Sequence, residues 1–254
     1  MAGVQLYSHQ VKALEQMKNG CILNGTVGSG KSRTALAYYY CNHGGKINTK
    51  DYIIMRNPCD LYIITTARKR DTLEWESELL PFMMTLDPKT NLYNNRIVID
   101  SWNNIKKYVG VRNAFFIFDE QRVIGYGAWT NAFLLITKKN NWVLLTATPG
   151  DTWSDYMPVF IANGFFKNKT EFVQRHVIYS PFTIFPKIDR YINEAPLIKM
   201  RAYILVNMTF LRHTIPHHNN IICEYDKYNY EYVTKNRWNI YKDEPIKNAG
   251  EFCL

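Results

Sequence analysis

The chain has 254 residues, 46% of them hydrophobic and 21% charged, a balance that supports a buried core and excludes a disordered or fibrous polypeptide. Lysine and arginine total 31 against 22 aspartate and glutamate, and the formal charge of +9 favours polyanionic partners, nucleic acid first. The excess is spread along the chain, with 18 basic against 13 acidic residues up to Phe165 and 13 against 9 beyond it, so no basic tail is responsible.

In chain order, short apolar runs alternate with stretches of helical period, the habit of a parallel sheet covered on both faces. Expected strands are Cys21–Asn24, Leu61–Thr65, Arg96–Ile99, Phe115–Phe118 and Val143–Thr146. Expected helices are Leu6–Met17, Lys31–Tyr40, Lys69–Leu80, Trp102–Tyr108 and Trp129–Thr137, with a long loop over His43–Pro58. After Pro149 the alternation stops. Trp153–Asn163, Thr170–His176 and Leu197–Leu211 read as helices around the proline-bearing segment Ser180–Pro186, followed by a short strand Ile221–Glu224 and an aromatic helix Lys227–Tyr241. The expectation is an α/β domain over residues 1–165 and a short, mainly helical extension over 166–254.

The five cysteines are odd in number and contain no C-x-x-C pair, which speaks for a reducing compartment rather than a disulfide framework. With no secretory signal after Met1 and no apolar run near the ~20 residues of a membrane span, the expected location is the cytoplasm, without membrane attachment. His213, His217, His218 and Cys223 are residue types that bind zinc, but Pro216 interrupts helical spacing, and an ordinary polar turn is preferred.

Gly25-Thr26-Val27-Gly28-Ser29-Gly30-Lys31-Ser32 fits G-x-x-x-x-G-K-[ST] between an expected strand and an expected helix. Glycines let the backbone wrap phosphates, Lys31 neutralises β- and γ-oxygens, and the Ser32 hydroxyl suits magnesium. Asp119-Glu120 follows the apolar run Ala114–Phe118, which places two carboxylates at a strand's carboxyl end, Asp119 for the metal and Glu120 for the attacking water. Thr146-Ala147-Thr148-Pro149 ends the next strand with hydroxyls able to reach those carboxylates. Upstream, Gln10 carries both donor and acceptor groups suited to an adenine edge. Arg68, Lys69 and Arg70 read by themselves as a solvated helix start.

Taken in series, these residues resemble the superfamily-2 DExx-box helicases and translocases, in particular the Swi/Snf-type, bacteriophage-encoded branch, over the N-terminal RecA-like lobe only. In that comparison Gln10 falls at the Q motif and Gly25–Ser32 at motif I. Thr65-Thr66-Ala67-Arg68 resembles motif Ia, Ile99-Asp100-Ser101-Trp102 motif Ib, Asp119-Glu120-Gln121-Arg122 motif II, and Thr146–Pro149 motif III. The resemblance implies a RecA-like P-loop NTPase lobe using ATP and Mg2+, with Thr66, Arg68 and Ser101 touching the nucleic-acid backbone and Gln121, Thr146 and Thr148 coupling the two activities. It implies DNA as partner, RNA as the alternative, and host cytoplasm as location.

Two departures stand out. Motif II reads D-E-Q-R rather than D-E-A-D or D-E-A-H, and no Q-x-x-G-R-x-x-R motif follows Pro149. An arginine finger, worth about 10³–10⁵ in rate in related NTPases, is therefore not identified. Residues Arg237-Trp238-Asn239 and Glu244-Pro245-Ile246 resemble the connector toward a second lobe, which a partner chain could carry. Two readings stay open: a nucleic-acid-dependent ATPase, and a non-hydrolysing nucleotide- and DNA-binding module serving as half of a split motor or as a regulatory subunit.

Overall fold

Successive side chains of a strand point to opposite faces, and here both sets are apolar, so each strand must be covered on both sides. In the computed structural model, which describes residues 2–120, 127–183, 185–210, 224 and 226–246, this is what the central strands do. Chain order begins with α1 (Ser8–Gln16), β1 (Ile22–Gly25), α2 (Lys31–Asn42), β2 (Leu61–Thr65), α3 (Ala67–Asp71) and α4 (Glu74–Leu79). It continues with β3 (Ile97–Ser101), a 3-10 helix over Trp102–Tyr108, β4 (Phe115–Asp119), α5 (Ala128–Thr137), β5 (Asn141–Thr146), α6 (Trp153–Ala162) and α7 (Lys169–His176). A hairpin of β6 (Val177–Tyr179) and β7 (Ile188–Tyr191) precedes α8 (Glu194–Ile204) and β8 (Leu205–Met208).

The main sheet has the order β3-β2-β4-β5-β1-β8, and all its pairings are parallel. On one face Leu23, Leu61, Ile63, Phe115, Ile117, Val143 and Leu145 pack with residues of α1, α2 and α4. On the other, Ile22, Tyr62, Ile64, Phe116, Phe118, Trp142 and Leu144 pack with α5, α6 and α8. The α/β class with helices on both faces is as expected.

The chain divides into two compact units, Met1–Leu211 and Arg212–Leu254. The first takes its sixth strand from the stretch read as extension: the helix expected over Leu197–Leu211 stops at Ile204, and Leu205–Met208 pairs with Ile22–Gly25. Pairing with β1 and burial of Val206 and Met208 outweigh the helical period there. Two further differences are local. The expected helix Lys69–Leu80 is broken at Leu73, which has φ +57°, and Trp102–Tyr108 winds as a 3-10 rather than an α-helix. In the second unit α9 (Lys227–Asn236) is capped by the Asp226 carboxylate, which accepts from the N–H groups of Tyr228 and Asn229. It ends in a two-residue antiparallel pairing of β9 (Trp238–Asn239) with β10 (Glu244–Pro245), where the sequence reading continued the helix to Tyr241.

No helix among the described residues is long and apolar enough to cross a membrane. Cys21, Cys41 and Cys59 are free thiols. The strand expected at Ile221–Glu224, like the histidine cluster before it, falls almost wholly outside the described residues.

Candidate nucleotide site

Strand β1 ends at Gly25 and α2 starts at Lys31, so residues 26–30 must turn the chain within one loop. Gly28 and Gly30 do so at φ +80° and +83°, conformations that side chains rarely adopt. At Gly30 a Cβ would also lie 2.1 Å from Gln10 Nε2, so a side chain there would displace the Gln10 amide. Thr26 and Val27 are exposed on the loop, while Ser29 is buried and its hydroxyl finds no hydrogen-bond partner among the described residues. An orphaned buried hydroxyl under a glycine loop at a helix N-terminus fits a site built for an anion.

The Lys31 ammonium donates to the carbonyls of Gly25 at 2.6 Å and Thr26 at 3.0 Å. Burial lowers its pKa from 10.5, with the Asp119 charge opposing that shift and Lys69 adding to it. Ser32, in the first turn of α2, lines a small cavity of about 160 Å³ with Lys69, Glu74 and Trp75. Gln10 is 5% exposed: its amide oxygen accepts from the Tyr7 N–H at 2.9 Å, and its amide nitrogen faces the Gly30 carbonyl at 3.5 Å. Beside it opens a cleft of about 430 Å³ lined by Leu6, Tyr7, Gln10, Gly30, Arg33 and Glu78.

The acidic pair closes the other end of the site. Asp119 is the last residue of β4 and is 1% exposed. Its Oδ2 accepts from Thr65 Oγ1 at 2.9 Å, Lys69 Nζ at 3.1 Å and Trp75 Nε1 at 3.2 Å, and its backbone carbonyl accepts from Trp102 Nε1 at 2.9 Å. Burial pushes the Asp119 pKa above its ordinary 3.8, and the neighbouring Lys69 charge works against that shift. Glu120, with its side chain 41% exposed, reaches Lys69 Nζ at 2.7 Å. It has φ +57°, a costly conformation for a non-glycine residue that its N–H bond to the Leu145 carbonyl helps to hold. Two adjacent carboxylates thus have opposite environments, one sealed and multiply held, the other open to solvent.

Strand order brings these parts together. Because β5 lies between β4 and β1, Thr146 at its end stands between Asp119 and the glycine loop. The Thr146 hydroxyl accepts from the Thr148 N–H at 3.0 Å, which shapes the turn before Pro149. Along the same carboxyl edge Thr65 pairs in register with Ser101. Thr66 caps α3, its hydroxyl accepting from the Lys69 N–H, while Arg68 is exposed and Ser101 is buried with its N–H on Asp100 Oδ1. Gln121 lies outside the described residues.

The sequence reading gave Lys69, Trp75 and Trp102 no role at the acidic pair. An acidic residue at the end of a wholly buried strand needs donors from elsewhere in the fold, and that need was the available signal. Ser32 and Asp119 offer hard oxygen donors that suit Mg2+, an ion usually bound through one or two carboxylates plus substrate phosphates. No cluster of three or more His, Cys, Asp or Glu placed to hold a metal occurs among the described residues.

A glycine loop on β1 and an acidic pair on β4, at the carboxyl edge of one parallel sheet, characterise a RecA-like lobe. No protein-family model and no curated protein matches the sequence. Among solved structures the fold is similar to the Sulfolobus solfataricus SWI2/SNF2 ATPase core in complex with dsDNA, with TM-score 0.60 and 15% identity over 81% of this chain and 45% of that one. A lesser similarity, TM-score 0.41 and 15% identity over 68% of this chain and 40% of that one, is to the Pyrococcus furiosus Hef helicase domain. The chain spans less than half the length of either, and the first similarity shows its fold, that of an α/β lobe built on a parallel sheet.

Proposed function

We propose that the chain binds ATP and Mg2+ and works as the N-terminal lobe of a nucleic-acid-dependent ATPase of the helicase or translocase type. The observation that carries this reading is the placement of Lys31 and the Asp119–Glu120 pair at one sheet edge, on strands separated only by β5. Lys31 and the loop N–H groups hold the phosphates, and the base enters the cleft beside Gln10. With its amide oxygen committed to Tyr7, Gln10 offers that base its amide nitrogen. Ser32 and Asp119 hold the divalent cation, which when bound supplies neutralisation of the charge developing on the phosphates. Glu120, the solvent-facing carboxylate, orients the attacking water and takes its proton.

Lys31 must leave the Gly25 and Thr26 carbonyls to meet phosphate, and it must do so charged. Its lowered pKa in the free protein, against a raised one beside phosphates, makes nucleotide affinity fall as pH rises. The sign follows from Lys31 taking up a proton on binding once the free lysine has begun to lose it, and the decline should begin below pH 10.5. Fluorescent-nucleotide titrations across alkaline pH check this, and a flat profile would contradict the role of Lys31.

DNA is the expected nucleic acid, with Arg68 as the exposed cation on α3 and Thr66 beside it. Arg68→Ala should weaken DNA binding about equally on unrelated sequences and lower the salt slope by about 1. Binding isotherms at several salt concentrations test this; a loss confined to one sequence would assign Arg68 to base reading instead. Full turnover calls for a second RecA-like lobe that closes on this one.

A further inference from the structure

Two lysines serve this site, and they are committed differently. Lys31, the lysine of the glycine loop, lies on its own loop carbonyls. Lys69, from α3, places its ammonium between Asp119 Oδ2 at 3.1 Å and Glu120 Oε1 at 2.7 Å, with its side chain 19% exposed. We propose that Lys69 is the resident counter-ion of the acidic pair, which holds both carboxylates in place and must swing away from Asp119 when a divalent cation takes that carboxylate. The inference rests on the nucleotide-site reading above and adds to it a positioning residue.

Three features support displacement rather than a permanent tie. Asp119 keeps two other donors, Thr65 Oγ1 and Trp75 Nε1, so it stays anchored when the lysine departs. Lys69 reaches the pair on a flexible four-carbon stem and borders the small cavity shared with Ser32, the other oxygen ligand assigned to the metal. Glu120 is solvent-facing, so the released ammonium can be hydrated. A single ammonium and a divalent cation compete for the same oxygens, and the ion of higher charge wins when it also gains phosphate ligands.

The test uses the full chain without nucleotide and Mn2+ alone as probe. Binding is read by electron paramagnetic resonance of free Mn2+ and by tryptophan fluorescence, since Trp75 donates to Asp119. Lys69→Met should bind Mn2+ about tenfold or more tightly than the parent, because the competing charge is gone, while Lys69→Arg should stay close to the parent. Lys69→Met should also melt at a lower temperature than the parent and be restored by Mn2+. Equal Mn2+ affinity in Lys69→Met and the parent, or an equally tight Lys69→Arg, overturns the proposal. So does a fold lost in both Lys69→Met and Lys69→Gln and not regained with Mn2+, which would make the lysine a fixed support. Failure of the ATPase reading shows up separately, as a parent chain that binds no ATP, since the Mn2+ titration contains no nucleotide.

Discussion

Lys31→Ala should weaken ATP binding by about thirtyfold or more while leaving the fold intact. The lysine is half-buried at the start of α2, and its two partners in the structure are backbone carbonyls that remain satisfiable by water. Removing it therefore costs the fold little. It costs the nucleotide one full charge in a partly desolvated site, a loss of about 2–5 kcal/mol for truncated charge pairs. That corresponds to a fall in affinity of roughly thirtyfold to several thousandfold. Calorimetric titration alongside circular dichroism measures both, and unchanged affinity in a folded variant would remove the glycine loop from the site.

Glu120→Gln is the second large effect, and its signature is a split. Glutamine keeps the shape and can still sit beside Lys69, so nucleotide affinity should stay within a fewfold of the parent. It cannot accept the proton of an attacking water, and hydrolysis should fall by about 10²–10⁴. The contrast with Asp119 matters here. Asp119 is sealed under Thr65, Lys69 and Trp75, whereas Glu120 is the carboxylate a solvent nucleophile can reach. A Glu120→Gln variant turning over at the parent rate would move the base elsewhere.

Much of the first unit was legible because its strands carry apolar residues on both faces between helical stretches, a pattern that leaves few alternatives to a covered parallel sheet. The turn between β1 and α2 was legible because its glycines meet a backbone demand, and Gly28 and Gly30 do have positive φ. Strand β8 was hidden because no glycine or proline separates Ile204 from Leu205, and only its partner β1, some 180 residues upstream, turns the chain into the sheet. The break at Leu73 was hidden for the same reason, since a leucine in a left-handed conformation leaves no sequence signal. Lys69 looked like one of three solvated cations at a helix start. Its difference from Arg68 appears only in the folded chain, where α3 turns one residue to the acidic pair and leaves its neighbour exposed.

The central claim is that this chain couples nucleic acid to ATP. The direct measurement is ATP turnover by the purified chain with and without single- and double-stranded DNA, with nucleotide binding followed in the same samples. The account predicts turnover that rises with DNA, alone or once a chain bearing the second lobe is added, and that is absent in Lys31→Ala. Nucleotide and DNA binding with no turnover under either condition would contradict the ATPase reading and leave the chain as a non-hydrolysing binding module.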